Sequence, residues 1–213
     1  MGRRLAGERR KFVSLAMCMV FLLVAGQWQI GRSADDNPLA AVKASVQEIL
    51  RILKDPELGV PARKEERQKQ VVAVVDNAFD FREMAQHTMA GHWEKQTPAE
   101  QDRFVELFSQ LVKNRYIDKI DNYTGQEVVF TKERVQGDKA LIYSTLVDKG
   151  TDIPIIYRLF KKGDTWLVFD LKIENVSLVA NYREDFFSII KKDGYNALVK
   201  RMEEKLQSPD KVN

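Results

Sequence analysis

Residues 126–174 read QEVVFTKERVQGDKALIYSTLVDKGTDIPIIYRLFKKGDTWLVFDLKIE. Apolar and polar residues alternate through this stretch with a period of two, the pattern of a half-buried strand. Gly137-Asp138, Lys149-Gly150 and Gly163-Asp164 interrupt the alternation and leave four strands, Gln126–Val135, Lys139–Asp148, Asp152–Lys162 and Thr165–Glu174. Breaks this short read as hairpins, and short connections force antiparallel pairing. The stretch is therefore a four-stranded antiparallel meander. In its fourth strand Leu167, Phe169, Leu171 and Ile173 make one wholly apolar face, while Trp166, Val168, Asp170 and Lys172 make a mixed one.

Outward from the meander the period becomes helical. Upstream, Leu39, Val42, Val46, Ile49, Leu50 and Leu53 recur at spacings of three and four, one face of a helix. Asp55-Pro56 and Gly59-Val60-Pro61 end it. The charged run 63–69 leads into Val71-Val72-Ala73-Val74-Val75, the end of a second helix with a solvated outer face. Phe81–Ala90 reads as a short helix closed by Gly91. Thr97, Pro98 and Glu100 form a capping box with proline at the first helical position. Phe104, Leu107, Phe108, Leu111, Val112, Tyr116, Ile117 and Ile120 then mark a long amphipathic helix. Downstream, Ser177–Lys192 is helical, Gly194 interrupts, and Tyr195, Leu198, Val199, Met202 and Leu206 mark a final helix. Helices, a meander and helices again predict an α+β fold, with helices on one side of a curved sheet.

The first residues carry a different signal. Arg3, Arg4, Arg9, Arg10 and Lys11 precede an uncharged apolar run, Phe12–Ala25. That run is shorter than the about 20 residues a membrane-spanning helix needs, and it fits the apolar region of a secretory signal. Cleavage is expected after Gly26, with Ser33 as the alternative end; an uncleaved anchor is the competing reading. Export through the Sec route is the default, and Arg9-Arg10-Lys11-Phe12-Val13 leaves a twin-arginine signal as the other route. Cys18 lies inside the apolar run behind a bulky Met17, which argues against lipidation. The expected organisation is a signal peptide 1–26, a polar linker 27–37, a single α+β domain 38–208 and a tail 209–213.

Removing that signal changes the charge. The whole chain has 34 basic and 31 acidic residues, but residues 1–26 hold five of the former and one of the latter. What remains is 29 basic against 30 acidic residues, no basis for nucleic-acid binding. Cys18 is the one cysteine, so disulfides, thiolate catalysis and cysteine-ligated metals are excluded from the exported domain.

Catalytic patterns are scarce. His87 and His92, the two histidines, are five apart across Gly91 and do not form the i,i+4 pair of a helical metal site. No glycine-rich phosphate loop or nucleophile elbow occurs. Asn122-Tyr123-Thr124 and Asn175-Val176-Ser177 are glycosylation sequons in form only. Asp170 sits in an apolar strand, where a bare charge is costly. With Tyr157 or Tyr143 it could transfer a proton as the Asp and Tyr of ketosteroid isomerase do. The plainer alternative is a structural Asp bonded to backbone amides or Arg183.

The spaced motifs are more informative. Asp80-Phe81-x-x-Met84-Ala85, Gly91-x-Trp93 and Thr97-Pro98-x-x-Gln101-x-x-Phe104 are followed by Tyr116 and Tyr123-x-Gly125-Gln126. Trp166-x-x-x-Asp170, Val176-Ser177-Leu178-x-x-Asn181-Tyr182-Arg183, Phe186 and Gly194 complete the series. In order and spacing these resemble the MlaC family of periplasmic phospholipid-binding (toluene-tolerance) proteins, whose hopanoid-associated homologues share the pattern. The resemblance runs from about Leu39 to Leu206. One departure is Asn175, where the family usually has Gly; Asn tolerates left-handed backbone.

The resemblance implies a periplasmic carrier, not an enzyme, with phospholipid as cargo and no cofactor. It implies a shuttle between an outer-membrane lipoprotein complex and an inner-membrane ABC transporter, maintaining outer-membrane lipid asymmetry. The alternatives are a hopanoid-associated carrier, an isomerase-like enzyme using Asp170, and an interaction module with a solid core. A monomer without a nucleic-acid partner is expected. A buried methylene contributes about 0.8 kcal/mol, so acyl chains are held without directional chemistry, in an apolar cavity between sheet and helices. Sheet candidates for its wall are Ile142, Ile155, Tyr157, Leu167, Phe169 and Leu171. Helix candidates are Phe81, Met84, Phe104, Phe108, Leu111, Val179, Tyr182 and Phe186, with Arg183 or Tyr182 at the head group.

Overall fold

The computed structural model of the protein describes residues 37–120 and 123–207. The expected signal peptide, the linker before Asn37, the 209–213 tail and the sequon residue Asn122 lie outside them. Helix α1 (Pro38–Lys54) is capped by Asn37, the last residue of the expected linker: Asn37 Oδ1 accepts from the Ala40 N–H at 3.1 Å, with proline in the first turn. A short 3-10 turn, Pro61–Arg63, leads to α2 (Lys64–Ala78). Helix α3 (Phe81–Met89) is capped by Asp80, whose Oδ1 accepts from the Glu83 N–H at 2.9 Å. It ends at Ala90, which takes a positive φ of 45°, one residue before the expected Gly91.

Helix α4 (Pro98–Ile120) begins at the expected capping box. The Thr97 N–H donates to Glu100 Oε2 at 2.8 Å, and the Glu100 N–H donates to Thr97 Oγ1 at 3.3 Å. The meander follows as β1 (Glu127–Gln136), β2 (Lys139–Asp148), β3 (Thr151–Lys162) and β4 (Thr165–Ile173). A fifth strand, β5 (Val176–Ser177), folds back on β4, so the antiparallel sheet runs β1-β2-β3-β4-β5. Two residues are too few to show an alternation in sequence. The turn before them is tight: Glu174 and Asn175 take φ of 48° and 70°, the positive values of a two-residue hairpin turn. Asn175 thus does the work of the usual glycine. Helices α5 (Leu178–Asp193) and α6 (Tyr195–Gln207) close the chain.

The fourth strand corrects the sequence reading. Arg158 pairs with Asp170 but Leu159 pairs with Val168, so Phe169 is an extra residue and the strand carries a β-bulge. A bulge shifts the alternation by one position. The apolar face under α1 therefore carries Trp166 and Val168 before the bulge and Leu171 and Ile173 after it, and Leu167 and Phe169 leave that face. The reason is Asp170: the bulge lets it and Phe169 turn together toward the helices. Phe169 there packs on His87 and Phe160, at ring distances of 5.3 and 6.0 Å.

Three apolar clusters result. On the concave face, α1 covers Ile142, Tyr157, Leu159, Trp166 and Val168 through Val42, with Leu39, Ala41 and Val46 alongside. The helical cluster joins α3, α4, α5 and α6 around Phe104 and Phe108. Phe186 meets the Phe104 ring edge-on at 5.7 Å and Tyr182 meets Phe108 at 5.3 Å, the geometries aromatic pairs favour. Ile52, Leu58 and Val71 tie α1 to α2. A main-chain bond from the Asp80 N–H to the Val168 carbonyl, 3.0 Å, fastens the start of α3 to β4.

Candidate functional site

Asp170 has an anchoring place. Its side chain is fully buried. Oδ1 accepts from the Val179 N–H at 3.0 Å, and Oδ2 accepts from Ser177 Oγ at 2.7 Å and from the Arg158 guanidinium at 3.3 Å. Ser177 Oγ in turn accepts from the Ala180 N–H at 3.0 Å. A carboxylate is thus held at the N-terminus of α5, where free N–H groups and the helix dipole favour negative charge. The cation is Arg158, not the expected Arg183. Tyr157 pairs with Leu171 on the opposite face, and Tyr143 lies two strands away, so neither joins Asp170 in a proton-transfer pair.

The histidines have separate neighbours. His87 Nε2 is 3.2 Å from Glu83 Oε1, and His92 packs on Phe187 at 6.1 Å. Asp80 is the other buried carboxylate. Burial pushes its pKa up, but the Lys162 ammonium at 2.7 Å and the Glu83 N–H outweigh that and hold it below the usual carboxylate range. Burial raises the Tyr157 hydroxyl, opposed by the adjacent Ser144 hydroxyl. That contact falls short of hydrogen-bond geometry and leaves Ser144 Oγ without a partner among the described residues. Burial likewise raises the Tyr182 hydroxyl, so it is neutral at physiological pH.

A cavity of about 150 Å³ lies where the three clusters meet. Helix α2 contributes Val71, Val72 and Val75, α4 contributes Val112, Lys113, Tyr116 and Ile117, and β4 contributes Leu171 and Ile173. Phe79, Phe81, Met84 and Leu178 complete it. Apolar cavities of this order stay dry and accept a benzene-sized hydrocarbon. Val72, Lys113 and Ile117 also line a polar opening of about 350 Å³ between α2 and α4, with Glu65, Gln68, Lys69 and Asn114. Lys113 Nζ donates to Asp76 Oδ1 at 2.9 Å and stands 5.4 Å from the centre of the Phe81 ring. A groove of about 630 Å³ lies beneath α1, lined by Val46, Ile49, Leu50 and Leu53 against Val128, Leu146, Asp148, Tyr123 and Gln126. Tyr116 belongs to both its wall and the cavity's.

Three of the residues singled out from sequence therefore meet in the cavity: Phe81, Met84 and Leu171. Phe104, Phe108 and Val179 are packed in the helical core, and Ile142, Ile155 and Tyr157 lie in the cluster under α1. Leu111, Tyr182 and Phe186 line a separate cleft between α4, α5 and α6. Arg183 is exposed and lines neither cavity nor groove. Sequence reasoning missed the α2 wall, although the valine run at 71–75 was its signal, and the α4 residues Val112, Lys113 and Ile117.

The family model of the MlaC protein matches residues 43–204. The chain belongs to the MlaC family. Among curated relatives, the intermembrane phospholipid transport system binding protein MlaC of Haemophilus influenzae is 25% identical over 134 residues, 60% of this chain and 63% of that protein. The match thus spans less than two thirds of that MlaC. The phospholipid-binding protein from Ralstonia solanacearum, solved in complex with a phospholipid, superposes with a TM-score of 0.69 at 26% identity. That likeness covers 79% of this chain and 96% of the other. It shows that the two proteins share the α+β architecture. Among the described residues no helix is long and apolar enough to cross a membrane.

Proposed function

We propose that this protein is a periplasmic phospholipid carrier, exported with cleavage after Gly26, whose domain 38–208 encloses acyl chains. The observation that carries the proposal is the apolar cavity between α2, α4 and β4. Beside it, sharing Val72, Lys113 and Ile117, lies a rim that also holds Glu65 and Lys69, with Lys113 paired to Asp76. Hydrocarbon inside and a rim of mixed charge beside it match an amphiphile, with the head group at that rim rather than at Arg183. The phospholipid-binding relatives support the same reading. At about 0.8 kcal/mol per buried methylene, a modest length of chain suffices for stable loading. The carrier passes lipid between an outer-membrane lipoprotein complex and an inner-membrane ABC transporter and so maintains outer-membrane asymmetry.

The test is to purify the protein without detergent from the envelope of a native-type host and weigh its cargo by native mass spectrometry. One phospholipid mass per chain is expected. A hopanoid mass would transfer the cargo to the alternative family role, and repeated preparations free of any lipid would overturn the carrier reading.

A further inference from the structure

We infer that Tyr116 divides the lipid site, so that the two acyl chains of one phospholipid occupy separate compartments on either side of its ring. This rests on the carrier reading. The cavity, at about 150 Å³, has room for about six carbons by comparison with benzene. A complete pair of acyl chains does not fit there. The groove under α1, at about 630 Å³, is some fourfold larger and is walled by Val46, Ile49, Leu50 and Leu53. Among the described residues, Tyr116 is the one that the two linings have in common. Its neighbour on α4, Ile117, lines both the cavity and the polar opening. A diacyl lipid whose chains part at Tyr116 uses both spaces. One chain end enters the cavity, and the other chain runs beneath α1.

Each compartment is closed by a bulky side chain in its own wall: Val75→Phe for the cavity, Leu50→Trp for the groove. The probes are palmitoyl-oleoyl phosphatidylglycerol and its monoacyl lysolipid, offered from vesicles and micelles and read by native mass spectrometry. Wild-type protein is expected to take both. Each single variant is expected to lose diacyl loading at least tenfold and to retain the lysolipid, because one compartment remains. Adding Tyr116→Ala to Val75→Phe merges the spaces and is expected to restore diacyl loading. Circular dichroism monitors folding, and Val72→Trp and Leu146→Trp replace any variant that fails to fold. Diacyl loading by either filled variant, loss of the lysolipid together with the diacyl lipid in one of them, or failure of the rescue would each overturn the partition. Wild-type protein that takes neither probe would instead overturn the carrier reading itself.

Discussion

Asp170 concentrates the energetics of one residue. Its two oxygens take a helix N–H, a capping hydroxyl and a guanidinium, so replacing it leaves the buried Val179 N–H and the half-buried Ser177 hydroxyl without their charged acceptor. Asp170→Asn should lower the unfolding free energy by about 3 kcal/mol, measured by urea denaturation, while the protein that remains folded keeps its lipid. Loss of lipid without loss of stability would contradict the anchoring role. Asp80 makes a pH-dependent contribution. Its folded-state pKa lies below the unfolded value of about 3.9. The stabilisation is therefore complete above that unfolded pKa and disappears as pH falls through the lower folded one. Melting temperatures of wild type and Asp80→Asn should differ at neutral pH and converge in strong acid. Lys162 is 61% exposed, so added salt should narrow the neutral-pH gap.

At the scale of elements, the β4–β5 hairpin and its helix form one unit. Two left-handed residues turn the chain, Ser177 pairs with Lys172, and the same serine caps α5. Asn175→Val should cost about 1–2 kcal/mol, because a β-branched residue is strained at φ of 70°. Asn175→Gly should be no less stable than wild type. Thermal denaturation of the pair decides it, and equal melting temperatures would remove the turn from the argument. Elements with strong local signals were legible in advance: the box at Thr97 and Glu100 and the three glycine-bearing hairpin turns. The bulge at Phe169 was not legible. A period of two is the same pattern with or without one inserted residue, and only the pull of α5 on Asp170 says where the insertion falls.

For the whole molecule, the cavity proposed to hold lipid is a product of three clusters packed around a common gap. A ligand bound to the folded state alone raises stability by about 2.7 kcal/mol when present at a hundred times its dissociation constant. Delipidated protein should accordingly melt several degrees below protein reloaded with phosphatidylglycerol, by scanning calorimetry. Identical melting curves would place the lipid outside the folded core.

Sequence alone determined the α+β class, the antiparallel meander, the helix starts and the family pattern, since each rests on interactions between residues a few positions apart. Tertiary structure decided which apolar side chains face space rather than one another. Phe104 and Met84 are equally apolar in sequence, yet Phe104 is locked among Phe108 and Phe186 while Met84 borders the cavity. A cavity is what packing leaves unfilled, and it depends on the crossing of α2, α4 and β4, which no local pattern encodes.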